Sequence, residues 1–248
     1  MTEESSDHHS IQNLKGVGPK SATSLNNLGI FTIPDAAFHL PFRYEDRSFI
    51  TSISEANYQT PVLIEGEIMK STVVFRGRRM LFSEIYDGTG RLTMRMFNFA
   101  MAQHKALEEG KMIRCFGTIT PGPNGKQMIH PQYQVFEKED SIEVEKNLTP
   151  IYPTTSGLQQ NKLKKIIESS LEFCDKNNLL KEESENRQYS EYGNLLETLK
   201  FLHKPPVETN MSELIEGKHP AQQSLIKEEL IAHMLCAGIL KNELEGRK

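Results

Sequence analysis

The sequence predicts an α+β protein: a five-stranded OB-fold β-barrel between a small helix-hairpin-helix-like amino-terminal part and a helical carboxyl-terminal segment. Three observations carry this. Residues 61–137 alternate apolar and polar side chains with period two, punctuated by Asp87-Gly88-Thr89-Gly90 and by Pro121-Gly122-Pro123-Asn124-Gly125. Residues 138–248 instead repeat their apolar positions every three to four residues. Before both lies Leu14-Lys15-Gly16-Val17-Gly18-Pro19-Lys20, two glycines around one apolar residue ahead of a helical pattern.

In chain order, residues 1–10 are acidic and polar, with neither a basic start nor an apolar run for export, and read as a disordered tail. His8 and His9 have no nearby Cys or third His and read as ordinary polar residues, not metal ligands. Residues 11–60 form the helix-hairpin-helix-like part and a linker. Pro19 suits the first position of a helix, Ala22, Leu25 and Leu28 follow at a spacing of three, and Gly29 stops it. Gly16 and Gly18 let the backbone turn tightly and expose amides, and with Lys20 they make a candidate phosphate contact at a helix start. A plain helix corner that needs glycine for its geometry explains the same residues. Leu40-Pro41-Phe42-Arg43-Tyr44-Glu45-Asp46-Arg47 reads as an extended stretch with internal charge pairing.

In 61–137 the order is strand at Val62–Met69, strand at Met80–Tyr86, strand at Leu92–Phe97, helix at Ala100–Leu107, then strands at Lys111–Thr120 and Gln127–Phe136. That is the element order of an OB fold. Leu92, Met94 and Met96 alternate with Arg91, Thr93, Arg95 and Phe97. If the aliphatic set faces inward, Arg91, Arg95 and Phe97 share an outer face, where cations hold phosphates and a ring stacks an unpaired base. Arg76, Arg78 and Arg79, in the preceding turn region, extend the patch. The bland reading tucks Phe97 under the following helix. Gly122-to-Lys126 is a β-turn, not a phosphate loop: its spacing departs from G-x-x-x-x-G-K-[ST] and a strand follows.

The helical segment carries apolar stripes at Leu163, Ile166, Ile167, Leu171 and Cys174, and at Leu195, Leu196, Leu199 and Leu202. A last helix with Ile226, Leu230, Ile231, Met234, Leu235 and Ile239 has an apolar face wider than a surface helix needs. His203, His219 and His233 are isolated and read as core or surface residues.

Charge sharpens the reading. The net −4 hides a middle, residues 61–136, with ten basic against six acidic residues. Both flanks are acidic, so the basic middle is the electrostatic footprint. Cys115, Cys174 and Cys236 fit neither a disulfide framework nor a zinc site and imply a reducing, cytoplasmic setting without a membrane span. No nucleophile–base pair, metal cluster or phosphate loop can be assembled, which leaves a binding module ahead of an independent enzyme.

From Leu14 to about Leu171 the chain resembles the wedge-bearing portion of the RecG family of branched-DNA helicases. The motifs are Leu14-to-Lys20, Leu40-to-Arg47, Asp87-Gly88-Thr89-Gly90, Phe97-Asn98-Phe99, His130-Pro131-Gln132-Tyr133 and Leu148-to-Leu158. The resemblance implies a wedge that parts the arms at a DNA branch point, with Phe97 at the place of the stacking aromatic. Some members carry a second aromatic where Met101 stands here. It further implies branched DNA as partner and an ATP-driven motor, whose phosphate loop and acidic motif do not occur in these 248 residues. ATP and Mg are therefore expected for that motor and no cofactor for this chain. A free-standing single-strand-binding OB protein and a protein-interaction module are the alternatives.

Overall fold

The computed structural model describes residues 9–140, 142–180 and 194–245 and divides into two compact units: Met1–Glu45 with Leu148–Lys248, and Asp46–Asn147. Residues 1–8, the greater part of the tail expected to be disordered and including His8, lie outside the described residues. His9 and Ser10 are ordered, the His9 carbonyl accepting from the Ile33 N–H (2.7 Å) and Ser10 bridging to Thr32. No helix among them is long and apolar enough to cross a membrane.

The second unit is a six-stranded sheet of β2 (Pro61–Arg76), β3 (Arg78–Tyr86), β4 (Arg91–Phe97), β5 (Met112–Gly122), β6 (Gly125–Ile129) and β7 (Gln132–Phe136). Its order is β2-β3-β4-β6-β5-β7, and β2 pairs again with β5, so five strands run in a ring. Within the ring β4 and β6 are parallel and every other pair is antiparallel. One long strand serves two partners because β2 shifts register between Ile68 and Lys70. Its first half, Pro61–Glu67, pairs with β5, and its second half pairs with β3 out to Arg76. A bulge of this kind bends the strand and increases its twist, as ring closure requires. The inward residues form a continuous apolar core of Ile64, Ile68, Leu81, Ile85, Leu92, Met94, Met96, Ile113, Ile119 and Met128, joined by Ile53, Ala56 and Leu107.

Two differences from the sequence expectation have physical causes. The single strand expected at Gln127–Phe136 is two strands, which makes six in place of five. His130 sits at φ 49°, a conformation no strand residue keeps, and Pro131 has no N–H for the ladder. The first two strands are also longer than expected. Arg76, Arg78 and Arg79 lie at strand ends, not in a loop, with Gly77 (φ 73°) alone between them.

The turn between β3 and β4 is built on one carboxylate. Asp87 accepts from the backbone N–H of Thr89 (2.8 Å), Gly90 (2.9 Å) and Ile53 (2.6 Å), and Lys126 Nζ donates to the carbonyls of Ile53 (2.6 Å) and Ser54 (2.8 Å). These bonds outweigh the cost of desolvation and hold the Asp87 carboxyl below its ordinary pKa.

The first unit packs α1 (Pro19–Asn26), α2 (Ile33–Ala37), α4 (Gln160–Lys176) and α5 (Leu195–His203) around Leu25, Ile33, Ala36, Leu163, Ile167, Leu196 and Leu199. The helix between them in number, α3 (Met101–Ala106), belongs to the sheet unit. A two-stranded sheet of β1 (Arg43–Glu45) and β8 (Thr149–Ile151) joins the two chain segments of the first unit. Tyr44, in the charged motif, is buried, and its hydroxyl donates to the Leu202 carbonyl (2.7 Å). His203 is a core residue. Its Nε2 lies 2.8 Å from the Ala37 carbonyl, which can only accept, so Nε2 carries the proton and Nδ1 accepts from the Tyr152 hydroxyl at 2.9 Å. Burial pushes its pKa down to about 4. Two further helices, α6 (Met211–Ile215) and α7 (Pro220–Glu245), complete the described chain. Along α7, Ile226, Leu230, Ile231, Met234, Leu235 and Ile239 are exposed.

Candidate nucleic-acid interface

Strand alternation places the proposed surface. In β4, Leu92, Met94 and Met96 are buried and Thr93, Arg95 and Phe97 are half-buried on the other face, with Arg91 exposed. Register extends that outer face across the sheet: Phe97 is opposite Met80, Arg95 opposite Phe82, and Thr93 opposite Glu84. Arg78, two residues before Met80, therefore lies diagonal to Phe97 on the same face.

Phe97 is the centre of a cluster. The guanidinium of Arg78 lies 4.1 Å from its ring centroid and that of Arg95 4.8 Å, while His130 sits 5.3 Å away. The strand break described above delivers His130: its N–H donates to the Arg95 carbonyl (3.0 Å), and its Nε2 accepts from the Phe97 N–H (3.1 Å). Asn98, at φ 51°, then turns the chain in the left-handed region that Asn tolerates. In consequence Phe99 packs against the barrel core while Phe97 stays on the outer face. Arg95 also lies 5.5 Å from the Phe82 ring, and its Nε is buried without a hydrogen-bond partner.

The acidic residues sort the basic ones. Arg91 is ion-paired with Glu84. Arg114 pairs with Glu65 (2.5 Å) and donates to the carbonyls of Ile142 and Glu143. Lys111 bridges Glu108 (3.2 Å) and Glu137 (3.0 Å), which raises its pKa. Arg78, Arg79 and Arg95 have no carboxylate partner among the described residues. Arg79 instead places its guanidinium 5.0 Å from the Phe99 ring and donates to the Met101 sulfur (2.8 Å). The positive surplus of the middle segment is thus gathered at the β2–β3 hairpin and the end of β4.

Of the residues singled out by sequence, the structure gathers Arg78, Arg79, Arg95 and Phe97. Arg91 is at the opposite end of β4, about 20 Å from Phe97 at 3.3 Å per residue. The side chain of Arg76 lies outside the described residues. Gly16, Gly18 and Lys20 belong to the other unit and are exposed, with Gly16 at φ 93° and Gly18 as the N-cap of α1. Ahead of that turn stands a single 3₁₀ turn at Ile11–Asn13, where a full helix-hairpin-helix would have its first helix, because Leu14 is already extended (ψ 130°).

Sequence reading passes over Phe75 and Phe82, and names His130 in a motif of the resemblance without placing it at the site. Phe75 is 74% exposed at the hairpin tip, and an aromatic next to Arg-Gly-Arg was a visible signal. His-Pro inside a supposed strand was another. Phe82 carried none, since only register reveals that it lies under Arg95.

The comparisons agree with this architecture. The family described as the RecG wedge domain matches residues 10–174. The ATP-dependent DNA helicase RecG of Escherichia coli (strain K12) is 38% identical over 228 residues, 91% of this chain and 32% of the helicase. RecG of Thermotoga maritima is 32% identical over 165 residues, 65% of this chain and 21% of that protein. A solved structure of RecG bound to a three-way DNA junction superposes with a TM-score of 0.71 at 25% identity, covering 95% of this chain and 31% of that one. The chain spans about a third of the length of such relatives. Sequence and superposition converge on one assignment, and the chain belongs to the RecG wedge domain family.

Proposed function

We propose that this chain is the branched-DNA-binding wedge of a RecG-like helicase, acting in recombination and repair in the cytoplasm. The five-strand ring is read as an OB barrel whose outer face holds DNA. The carrying observation is Phe97 flanked by Arg78 and Arg95, guanidiniums for which the described protein supplies no carboxylate. A guanidinium with no acidic neighbour retains its full attraction for phosphate, and stacking on a ring fixes its plane without neutralising it. At a branch point the terminal base has lost its stacking neighbour on one side, and Phe97 replaces that neighbour. Arg78 and Arg95 swing from ring to phosphate, or remain over the ring edge while the base takes the face. Arg79 extends the phosphate track. Arg91, neutralised by Glu84, contributes least. The Gly16–Gly18 turn with Lys20 is a second backbone contact from the first unit.

A single unpaired base stacked on an aromatic contributes about 1–3 kcal/mol, and phosphate contacts supply the remaining, salt-dependent affinity. Hydrolysis of ATP with Mg belongs, on this reading, to residues outside this chain, so that DNA binding here needs no nucleotide. Fluorescence anisotropy against a fork, a four-way junction, linear duplex and single strand at matched salt tests the proposal. Tightest binding to the branched forms is expected. Single strand bound as tightly as forks would point instead to a general single-strand binder, and no binding even at low salt to an acidic protein partner.

A further inference from the structure

The β2–β3 hairpin overhangs the ring. Past Glu67, β2 has β3 as its one strand partner, and β3 meets β4 no further toward its start than Met80, opposite Phe97. Beyond that point the ribbon from Val74 to Arg79 pairs with no third strand among the described residues. From Lys70 to Arg79 it carries four basic residues and no acidic one.

Register assigns each side chain to a face. Val73, opposite Leu81, packs against the barrel core, so that face of the ribbon continues the barrel interior. Phe75 follows two residues later and is directly opposite Arg79 on the same face. Arg78 belongs to the other face, with Phe97 and Arg95. Each face therefore presents an aromatic ring beside a guanidinium without a carboxylate partner. One face has Phe97 with Arg78 and Arg95, and the other has Phe75 with Arg79, whose guanidinium lies over Phe99 and touches the exposed Met101.

An isolated exposed aromatic is common on protein surfaces and by itself marks nothing. Phe75 differs in its setting. It is the most exposed aromatic among the described residues, at 74%, and it sits on a purely basic ribbon. Its face is separated from the Phe97 face by the backbone itself. We infer that Phe75 and Arg79 form a second single-strand contact on the hairpin, on the face of the ribbon opposite Phe97. The occupant is a single DNA strand because the surface combines what such a strand presents: a π-face for the ring and a phosphate for the guanidinium. This inference rests on the branched-DNA reading above.

The full chain contains no tryptophan, so Phe75→Trp makes the hairpin tip its own reporter. Phe75→Ala, Phe97→Ala and the double variant are titrated against a fork with two unpaired arms, with circular dichroism as the check on folding. Phe75 belongs to no core cluster, so its removal leaves the fold intact. Phe75→Ala is expected to weaken fork binding by about five- to a hundredfold, one stacked base. That loss adds to the loss from Phe97→Ala, and emission from the indole at position 75 is quenched on fork binding. If Phe97→Ala loses affinity while Phe75→Ala binds as the parent does, with unchanged indole emission, the second contact is refuted and the wedge reading stands. If the parent shows no preference for forks, both fall together.

Discussion

Replacing Arg95 with methionine removes a positive charge from the outer face of β4 while keeping an unbranched side chain of similar reach. The structure sets two opposing effects on stability. Arg95 makes cation–π contacts with Phe97 at 4.8 Å and Phe82 at 5.5 Å, each about 0.5–1 kcal/mol at a partly exposed site. Against that, its buried Nε has no partner, and an unsatisfied buried donor costs about 1–3 kcal/mol. Methionine retains contact with both rings and brings no unsatisfied donor. The two effects cancel to within about 1 kcal/mol, so Arg95→Met is expected to unfold in urea at nearly the parent midpoint. DNA binding responds differently, because one phosphate contact is lost. The slope of log affinity against log salt should fall by about 0.9 where the contact is to duplex and about 0.7 where it is to single strand. Urea unfolding and a salt series of anisotropy titrations measure both on the same preparation. A stability loss above about 2 kcal/mol would show that the guanidinium is part of the fold. An unchanged salt slope would show that it meets no phosphate.

Other groups give separate tests. His203 is neutral and buried, with a folded pKa near 4 against about 6.5 unfolded, so the unfolded chain takes up its proton first as pH falls. Its contribution is complete above pH 6.5 and is lost on the way down to pH 4, about 3 kcal/mol in all. Urea midpoints should drop across that window, and less steeply in His203→Gln. Asp87 has a lowered pKa, so its contribution is present above the unfolded carboxylate value and is lost as pH falls through the folded one. Asp87→Ala strands the N–H groups of Ile53, Thr89 and Gly90 and should cost about 2–4 kcal/mol in thermal unfolding. Arg91→Ala, which removes a charge already paired with Glu84, should reduce fork affinity less than Arg78→Ala at the same salt.

The alternation of β4 was legible because a half-buried strand writes its two faces into period two, and Leu92, Met94 and Met96 are buried as that period requires. Other features depend on events that periodicity does not encode. The length of β2 follows from a bulge at Ile68–Lys70 that lets one strand change partners. The division of 127–136 follows from the φ of His130, and that break alone brings an imidazole beside Phe97. The pairing of β1 with β8 joins residues more than a hundred positions apart, a distance at which no local signal operates. Within the site, the sequence marks Arg91 and Arg95 alike as alternate residues of one strand. They separate only through neighbours on β3, where Arg91 meets Glu84 and Arg95 meets Phe82.

The measurement that tests the central claim most directly is the affinity of Phe97→Ala for a fork relative to linear duplex, at matched salt. Stacking on an exposed base predicts a loss of about 1–3 kcal/mol on the fork and little change on duplex. Equal fork affinity for variant and parent, or an equal loss on both DNA forms, would contradict it.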